Sequence, residues 1–151
     1  MKTLFKFIFI LFAFLNFGCS NDAELCFTPP EGFSFELVDK TTGENLFTNG
    51  TYKSNDITVK NLDDSSKNIE YNFISENNYN VITIGTIGWK TETVNYSVNI
   101  AGKNIFEFHV QATRINDKCS HTEYKDFQVK SATYQLDKTR GVFKILVDTK
   151  I

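Results

Sequence analysis

The sequence predicts an all-β fold, an antiparallel β-sandwich of about eight to ten short strands. Strand signals with a period of two recur at short intervals from Phe33 onward. No glycine after Gly18 and no proline falls within a predicted strand. No stretch beyond the first 18 residues shows the apolar stripe of 3.6-residue period that an amphipathic helix requires. A small closed β-barrel has the same signature and is the alternative.

Nine segments combine apolar–polar alternation with β-branched and aromatic residues, which favour strands. These predicted strands are Phe33–Val38, Ile57–Val59, Ile69–Phe73, Val81–Ile84, Val94–Ile100, Phe106–Thr113, Tyr124–Lys130, Ala132–Leu136 and Val142–Val147. Gly, Asn and Asp residues between them tolerate the backbone conformations of turns. The clearest turns are Asp39–Glu44, Asn49–Gly50, Gly85–Gly88, Ala101–Asn104 and Asp137–Gly141.

The segment Val94–Thr113 predicts a hairpin in the interior of the sandwich. One face carries eight apolar residues, namely Val94, Tyr96, Val98, Ile100, Phe106, Phe108, Val110 and Ala112. The opposite face carries polar residues, namely Asn95, Ser97, Asn99, Glu107, His109, Gln111 and Thr113. Because an apolar face of this size must be buried, we expect a second sheet to cover it. The polar row is either a hydrogen-bonding surface or the solvent side of the sandwich.

Two packed antiparallel sheets of short strands resemble the architecture of immunoglobulin-like domains. The resemblance does not extend to the residues that characterise antibody domains. Cys26 and Cys119 lack the spacing of the antibody inter-sheet disulfide, and Trp89 is not placed like the antibody core Trp. The resemblance therefore implies an architecture and no function.

The first 18 residues have the pattern of a secretion signal. Met1–Lys6 is basic, and Phe7–Leu15 is an uninterrupted apolar run too short for a stable membrane span. The segment ends at Gly18 and Cys19, which resemble the lipobox of bacterial lipoproteins. The resemblance implies cleavage after Gly18 and a lipid anchor, palmitate among its acyl chains, on Cys19. An uncleaved anchor helix is the alternative, and the polar residues that begin at Ser20 argue against it.

The phenylalanine-rich apolar run and the continuation Cys19–Glu24 are similar to lipoproteins of Bacteroidota. The similarity implies attachment to the outer membrane, with the protein facing the periplasm or the cell surface. Asp22 and Glu24 follow the Cys, and acidic residues at this place act as a surface-export signal in that group. The expected organisation is a signal peptide at 1–18, a lipid-anchored tether at 19–32 and one β-sandwich domain at 33–151.

The charge of the chain argues against a nucleic-acid partner. Lys2 and Lys6 are the basic residues of the first 18, so the rest carries 14 basic and 18 acidic residues, a net charge of −4. A nucleic-acid binder shows a concentrated basic patch instead. The length suits one domain with its own core and excludes a multi-domain enzyme.

Two cysteines, Cys26 and Cys119, remain once the lipidated one is set aside. Because export places them in an oxidising compartment, this even pair predicts a disulfide. The bond would join the start of the domain to the loop Asn116–His121. A metal or thiol site at Cys119 and His121, to which His109 could be added, is the competing interpretation. It is disfavoured because the chain offers two His and no CxxC pair, so we expect no metal or other cofactor.

No catalytic residue is predicted. A nucleophile needs a neighbouring base and an orienting carboxylate. His109 falls on the polar face of a predicted strand, and His121 follows a cysteine predicted to be oxidised. Asp63 and Asp64 lie in a polar loop that lacks the D-x-D-x-D-G spacing of a calcium site. An enzyme is therefore the third-ranked function.

Trp89 is the candidate residue for partner binding. It is the only Trp of the chain and follows Gly85 and Gly88 in a predicted loop. It is either an aromatic platform for a sugar ring or a partner, or a core residue that opens the next strand. We expect a non-catalytic, lipid-anchored cell-envelope module that binds or scaffolds an extracytoplasmic protein or glycan. The alternative is a small-ligand-binding or inhibitor-type domain. An enclosed apolar cavity would favour the alternative, and an exposed aromatic patch would favour partner binding.

Overall fold

In the described part of the chain, nine β-strands form two sheets that pack face to face. The computed structural model describes residues 26–64, 67–76 and 79–149. The predicted signal peptide at 1–18 and the predicted lipidation site at Cys19 lie outside these residues. Within them, no helix combines the length and the apolar character needed to cross a membrane.

The strand positions follow the alternation of the sequence closely. They are β1 Phe33–Asp39, β2 Ile57–Asn61, β3 Asn72–Glu76, β4 Tyr79–Ile84, β5 Glu92–Ile100, β6 Lys103–Ile115, β7 His121–Lys130, β8 Thr133–Asp137 and β9 Val142–Val147. One sheet has the order β3-β4-β1-β9-β8, and the other has the order β2-β5-β6-β7. The predicted β-sandwich is therefore confirmed, and the described strands do not close into the alternative barrel.

The first and last strands pair in parallel at the centre of the five-stranded sheet. Ser34 lies opposite Val142, and the register continues to Asp39 opposite Val147. The other strand pairs of the described residues are antiparallel. This order differs from the A-B-E-D and C-F-G sheets of an immunoglobulin constant domain. The likeness to immunoglobulin domains is therefore one of architecture only.

The β5–β6 hairpin presents the predicted apolar face to the other sheet. Val94 lies opposite Val110, and Val98 lies opposite Phe106. The turn is tighter than the predicted four residues, because Ala101 and Gly102 adopt φ angles of 49° and 79°. Two residues with positive φ make the type of turn that suits the twist of a hairpin.

Ser97 departs from the prediction of an exposed polar row. Its exposed fraction is 4%. Strand β5 lies between β2 and β6, and the register places Lys60 and Glu107 on either side of Ser97. The Asn99 amide nitrogen also donates to the Ser97 hydroxyl at 3.1 Å, so this short side chain lies among longer neighbours.

The core between the sheets is rich in aromatic rings. The ring of Phe35 lies 5.0 Å from those of Phe106 and Phe108, measured between centroids. The rings of Phe127 and Phe143 stack at 4.3 Å where β7 approaches the other sheet. Full burial of a Phe side chain contributes about 1.5–3 kcal/mol, so the buried rings of Phe35, Phe106 and Phe108 stabilise the packing of the two layers.

The chain between β2 and β3 does not form the predicted strand Ile69–Phe73. Asn68 still pairs with Lys60 of β2, and the Ile69 N–H donates to the Val59 carbonyl at 2.8 Å. Strand β3 begins at Asn72, in the other sheet. The predicted bounds are wrong because this segment crosses from one sheet to the other. Apolar–polar alternation along the chain does not show where such a crossing occurs. The crossing segment forms one wall of the candidate site.

Candidate functional site

The start of the described chain is fixed to the loop that precedes β7. Cys26 and Cys119 form a disulfide with their Cα atoms 4.3 Å apart, so the predicted pairing is confirmed. Phe27 pairs in parallel with Ser120, and the Thr28 N–H donates to the Ser120 carbonyl at 2.9 Å. Residues 26–28 are therefore attached to the sandwich at residues 119–120. They lie beside the loop that carries Trp89.

Trp89 is exposed, and hydrogen bonds fix the loop that presents it. Its exposed fraction is 56%, which rules out the interpretation of Trp89 as a core residue. The indole Nε1–H donates to the Gly85 carbonyl at 3.1 Å. The Gly88 N–H donates to Glu92 Oε1 at 3.0 Å, and the Thr122 hydroxyl donates to the Gly88 carbonyl at 2.7 Å. The loop thus presents the ring in a defined orientation.

A second exposed aromatic ring lies beside Trp89. Phe27 is 57% exposed, and its ring centroid lies 6.3 Å from that of Trp89. The guanidinium carbon of Arg114 lies 5.1 Å from the centre of the Phe27 ring, within the range of a cation–π contact. Arg114 Nη1 also donates to the Thr28 carbonyl and to the Thr122 hydroxyl, at 3.0 Å each. We call Phe27 and Trp89 together the aromatic patch.

An open groove extends away from Trp89 along the crossing segment. It comprises two adjoining hollows of about 520 and 670 Å³, which share Ile69, Glu70 and Thr86. The lining residues are Lys67, Asn68, Ile69, Glu70, Tyr71, Asn72, Gly85, Thr86, Trp89, Lys90, Glu92 and Tyr96. We call this depression the groove. Its walls are the segments 67–72 and 85–92.

The groove combines polar walls with buried apolar residues. Lys67, Asn68, Glu70 and Lys90 are exposed, whereas Tyr96 is 7% exposed. Burial raises the pKa of Tyr96, and the carboxylates of Glu92 and Asp63 raise it further. The phenol is therefore neutral at physiological pH. The groove also contains amide, hydroxyl and carboxylate groups and one exposed indole, and its two Lys balance its two Glu.

Both histidines have hydrogen-bond partners outside the groove. The Asn95 amide nitrogen donates to Asp63 at 3.1 and 3.2 Å, which directs its oxygen towards His109 Nδ1 at 2.7 Å. His109 Nδ1 is therefore the donor of that bond. His121 Nδ1 lies 3.0 Å from the Cys119 carbonyl. Across the described ranges, no group of three His, Cys, Asp or Glu is placed to hold a metal ion.

Trp89 is predicted from the sequence as a candidate binding residue, whereas the other residues of the groove are not. Asn68, Glu70 and Thr86 come from a crossing segment and a loop whose proximity depends on sheet topology, and no local pattern reveals it. The contact between Asn95 and His109 depends on the observed register, which places these two residues opposite each other and which the predicted four-residue turn does not give. Comparisons of the chain with protein-family models, curated proteins and solved structures find no match. The groove is therefore interpreted from its own chemistry.

Proposed function

We propose that the protein is a non-catalytic, lipid-anchored module of the cell envelope that binds an extracytoplasmic partner in the groove. The observation that carries the proposal is an open groove lined in part by an exposed Trp89, whose indole and loop are held by hydrogen bonds. Fixed aromatic side chains in partly apolar surroundings are typical of recognition sites. An ordinary surface loop has no need to hold an exposed indole in one orientation.

A glycan is the partner class that the groove favours, and a protein segment is the second. The apolar face of a sugar ring stacks on an indole, while its hydroxyls pair with amide, carboxylate and ammonium groups. Asn68, Glu70 and Lys67 supply such groups along one wall. The groove is open to solvent, whereas small-molecule sites bury most of their ligand. This difference argues against the small-ligand alternative.

The disulfide supports a location outside the cytoplasm. Disulfides persist in oxidising compartments, and Cys26 and Cys119 form one here. The Gly18-Cys19 motif precedes Cys26 by a few residues and supports the proposed lipid anchor. We infer an outer-membrane location, on the periplasmic or the surface side. The non-catalytic part of the proposal is supported by the two histidines, which contact an amide and a carbonyl rather than a nucleophile.

The test is capture of the partner by the intact, lipidated protein from its own membranes. The wild type is compared with an Asn68→Ala, Glu70→Ala double variant, which alters one groove wall. Gln135→Ala is the matched control, because Gln135 is an exposed polar residue on the distant strand β8. We expect the wild type and the control to retain a partner that the double variant loses. Equal capture by all three proteins would refute the proposal that the partner binds in the groove.

Two treatments of the captured material identify the partner class and the side of the membrane. Periodate destroys sugar diols and protease destroys protein, so each treatment removes one class of partner. Protease applied to whole cells before capture removes the complex only if the protein faces outwards. A glycan that survives protease and is lost after periodate supports the proposal as stated.

A further inference from the structure

We propose that the aromatic patch, Phe27 and Trp89, docks on the headgroup region of the bilayer that holds the lipid anchor. The inference rests on the lipid anchoring in the proposed function. It adds an orientation: the end of the sandwich that carries the disulfide faces the membrane. The occupant of the patch is therefore a lipid surface rather than a second protein.

The exposure of the two rings is the first observation. Phe27 and Trp89, at 57% and 56%, are the most exposed of the large hydrophobic side chains in the part of the chain that the structure describes. They are also neighbours, with ring centroids 6.3 Å apart. Single exposed hydrophobic residues are common, but adjacent aromatic rings form a patch that favours removal from water.

The position of the patch relative to the anchor is the second observation. Six residues, 20–25, separate Cys19 from Cys26. This segment spans at most about 25 Å when fully extended. Cys26 is fixed to Cys119, and Phe27 follows it directly. A lipid on Cys19 therefore keeps the patch within a short distance of the headgroups, whatever path the intervening residues take.

The chemistry around the rings suits the boundary between lipid and water. Trp is enriched at this boundary because its ring is apolar and its N–H is polar. Lys90 follows Trp89 and is exposed, and Arg114 lies over the Phe27 ring. Lys and Arg near the surface attract anionic headgroups. The patch thus combines two apolar rings with adjacent cations.

Docking of the patch has a consequence for the groove, because Trp89 also lines one of its two hollows. An indole packed against headgroups cannot stack on a sugar ring at the same time, so the docked protein holds its partner through the polar groups of segment 67–72. One end of the groove would open at the membrane surface. A partner held along segment 67–72 would then lie beside the bilayer rather than far above it. This arrangement restricts the partners to molecules attached to the same membrane or lying against it.

The single Trp of the chain makes the proposal directly testable. The full lipidated protein is reconstituted into vesicles of phosphatidylethanolamine and phosphatidylglycerol, with acyl chains brominated near the headgroup or unbrominated. Vesicle flotation measures anchoring, and quenching of Trp89 fluorescence by bromine measures docking. We expect the protein to float, its emission to shift to shorter wavelength, and the brominated lipid to quench it severalfold.

Two variants separate docking from anchoring. Phe27→Ser should float like the wild type but lose most of the quenching, because half of the patch is gone. Leu136→Ser, which replaces a 46% exposed side chain on strand β8, should keep the quenching of the wild type. Floating protein without quenching would overturn the docking and leave the anchor intact. Protein that does not float would overturn both the anchoring and the docking.

Discussion

Gly88 lies so close to Tyr124 that a Cβ atom on residue 88 would sit 2.6 Å from the Tyr124 hydroxyl oxygen. The same atom would lie 2.9 Å from Thr122 Cγ2. The φ angle of Gly88 is +92°, a region that L residues with side chains rarely adopt. The loop that presents Trp89 therefore depends on glycine for both its space and its backbone conformation.

Gly88→Ala should displace the Trp89 loop. The substitution adds backbone strain of about 1–3 kcal/mol to a steric clash with two side chains. We expect a lower free energy of unfolding, a changed Trp89 emission spectrum and weaker partner capture. Gly43→Ala is the control, because Gly43 has φ +74° but no atom within 4 Å of the added Cβ. Equal effects of the two substitutions on Trp89 emission would contradict the packing against Tyr124.

Local patterns predicted the strands well. Successive side chains of a strand point to opposite faces, so apolar and polar residues alternate along a strand that has one buried face. The hairpin from Val94 is the clearest case, since its eight predicted apolar residues are all buried. The parallel pairing of β1 with β9 is not local, and no pattern within Phe33–Asp39 or Val142–Val147 encodes it. The choice between sandwich and barrel depended on the edge strands, because among the described residues β3 and β8 of one sheet do not pair with β2 and β7 of the other.

The candidate site was less accessible from the sequence than the fold. Trp residues are mostly buried, so composition alone favoured a core position for Trp89. The loop that exposes Trp89 is held in part by the bond from the Thr122 hydroxyl to the Gly88 carbonyl. Thr122 lies in β7, 34 residues further along the chain, so no local pattern reveals this bond. Asn68 and Glu70 face Thr86 only because the crossing segment passes between the sheets.

Loss of the Cys26–Cys119 disulfide should destabilise the protein and loosen Phe27. The bond joins residues 93 positions apart in the sequence. Removal of such a disulfide lowers the free energy of unfolding by about 2–4 kcal/mol. A Cys26→Ser, Cys119→Ser variant should unfold at lower urea concentration than the wild type. Wild type treated with dithiothreitol is the control and should match the variant. Unchanged unfolding in both would show that the bond does not form in the native protein.

Asp39 should make stability sensitive to acid. Hydrogen bonds from the Thr149 hydroxyl and from the Thr42 and Thr41 N–H groups lower the pKa of Asp39 from 3.8 to about 2. The lowered pKa favours the folded state above pH 3.8, and this contribution disappears as pH falls towards 2. The stability advantage of wild type over Asp39→Asn should therefore shrink across that interval in urea titrations. An advantage that stays constant down to pH 2 would contradict the assignment.

Phe108 and His109 test the face assignment of the β5–β6 hairpin. Phe108 is 2% exposed, and its ring lies 5.0 Å from that of Phe35 in the core. Phe108→Ala should lower the free energy of unfolding by about 3–5 kcal/mol, as is usual for truncation of a buried Phe.

His109 lies on the opposite face, where the sequence alone predicts a cost below about 0.5 kcal/mol for His109→Ala. Its 2.7 Å hydrogen bond with Asn95 raises the expected cost to about 0.5–1.5 kcal/mol, still well below that of Phe108→Ala. Denaturant titration of both variants measures the difference. A larger loss for His109→Ala would mean that the register is shifted by one residue, since such a shift exchanges the two faces of a strand.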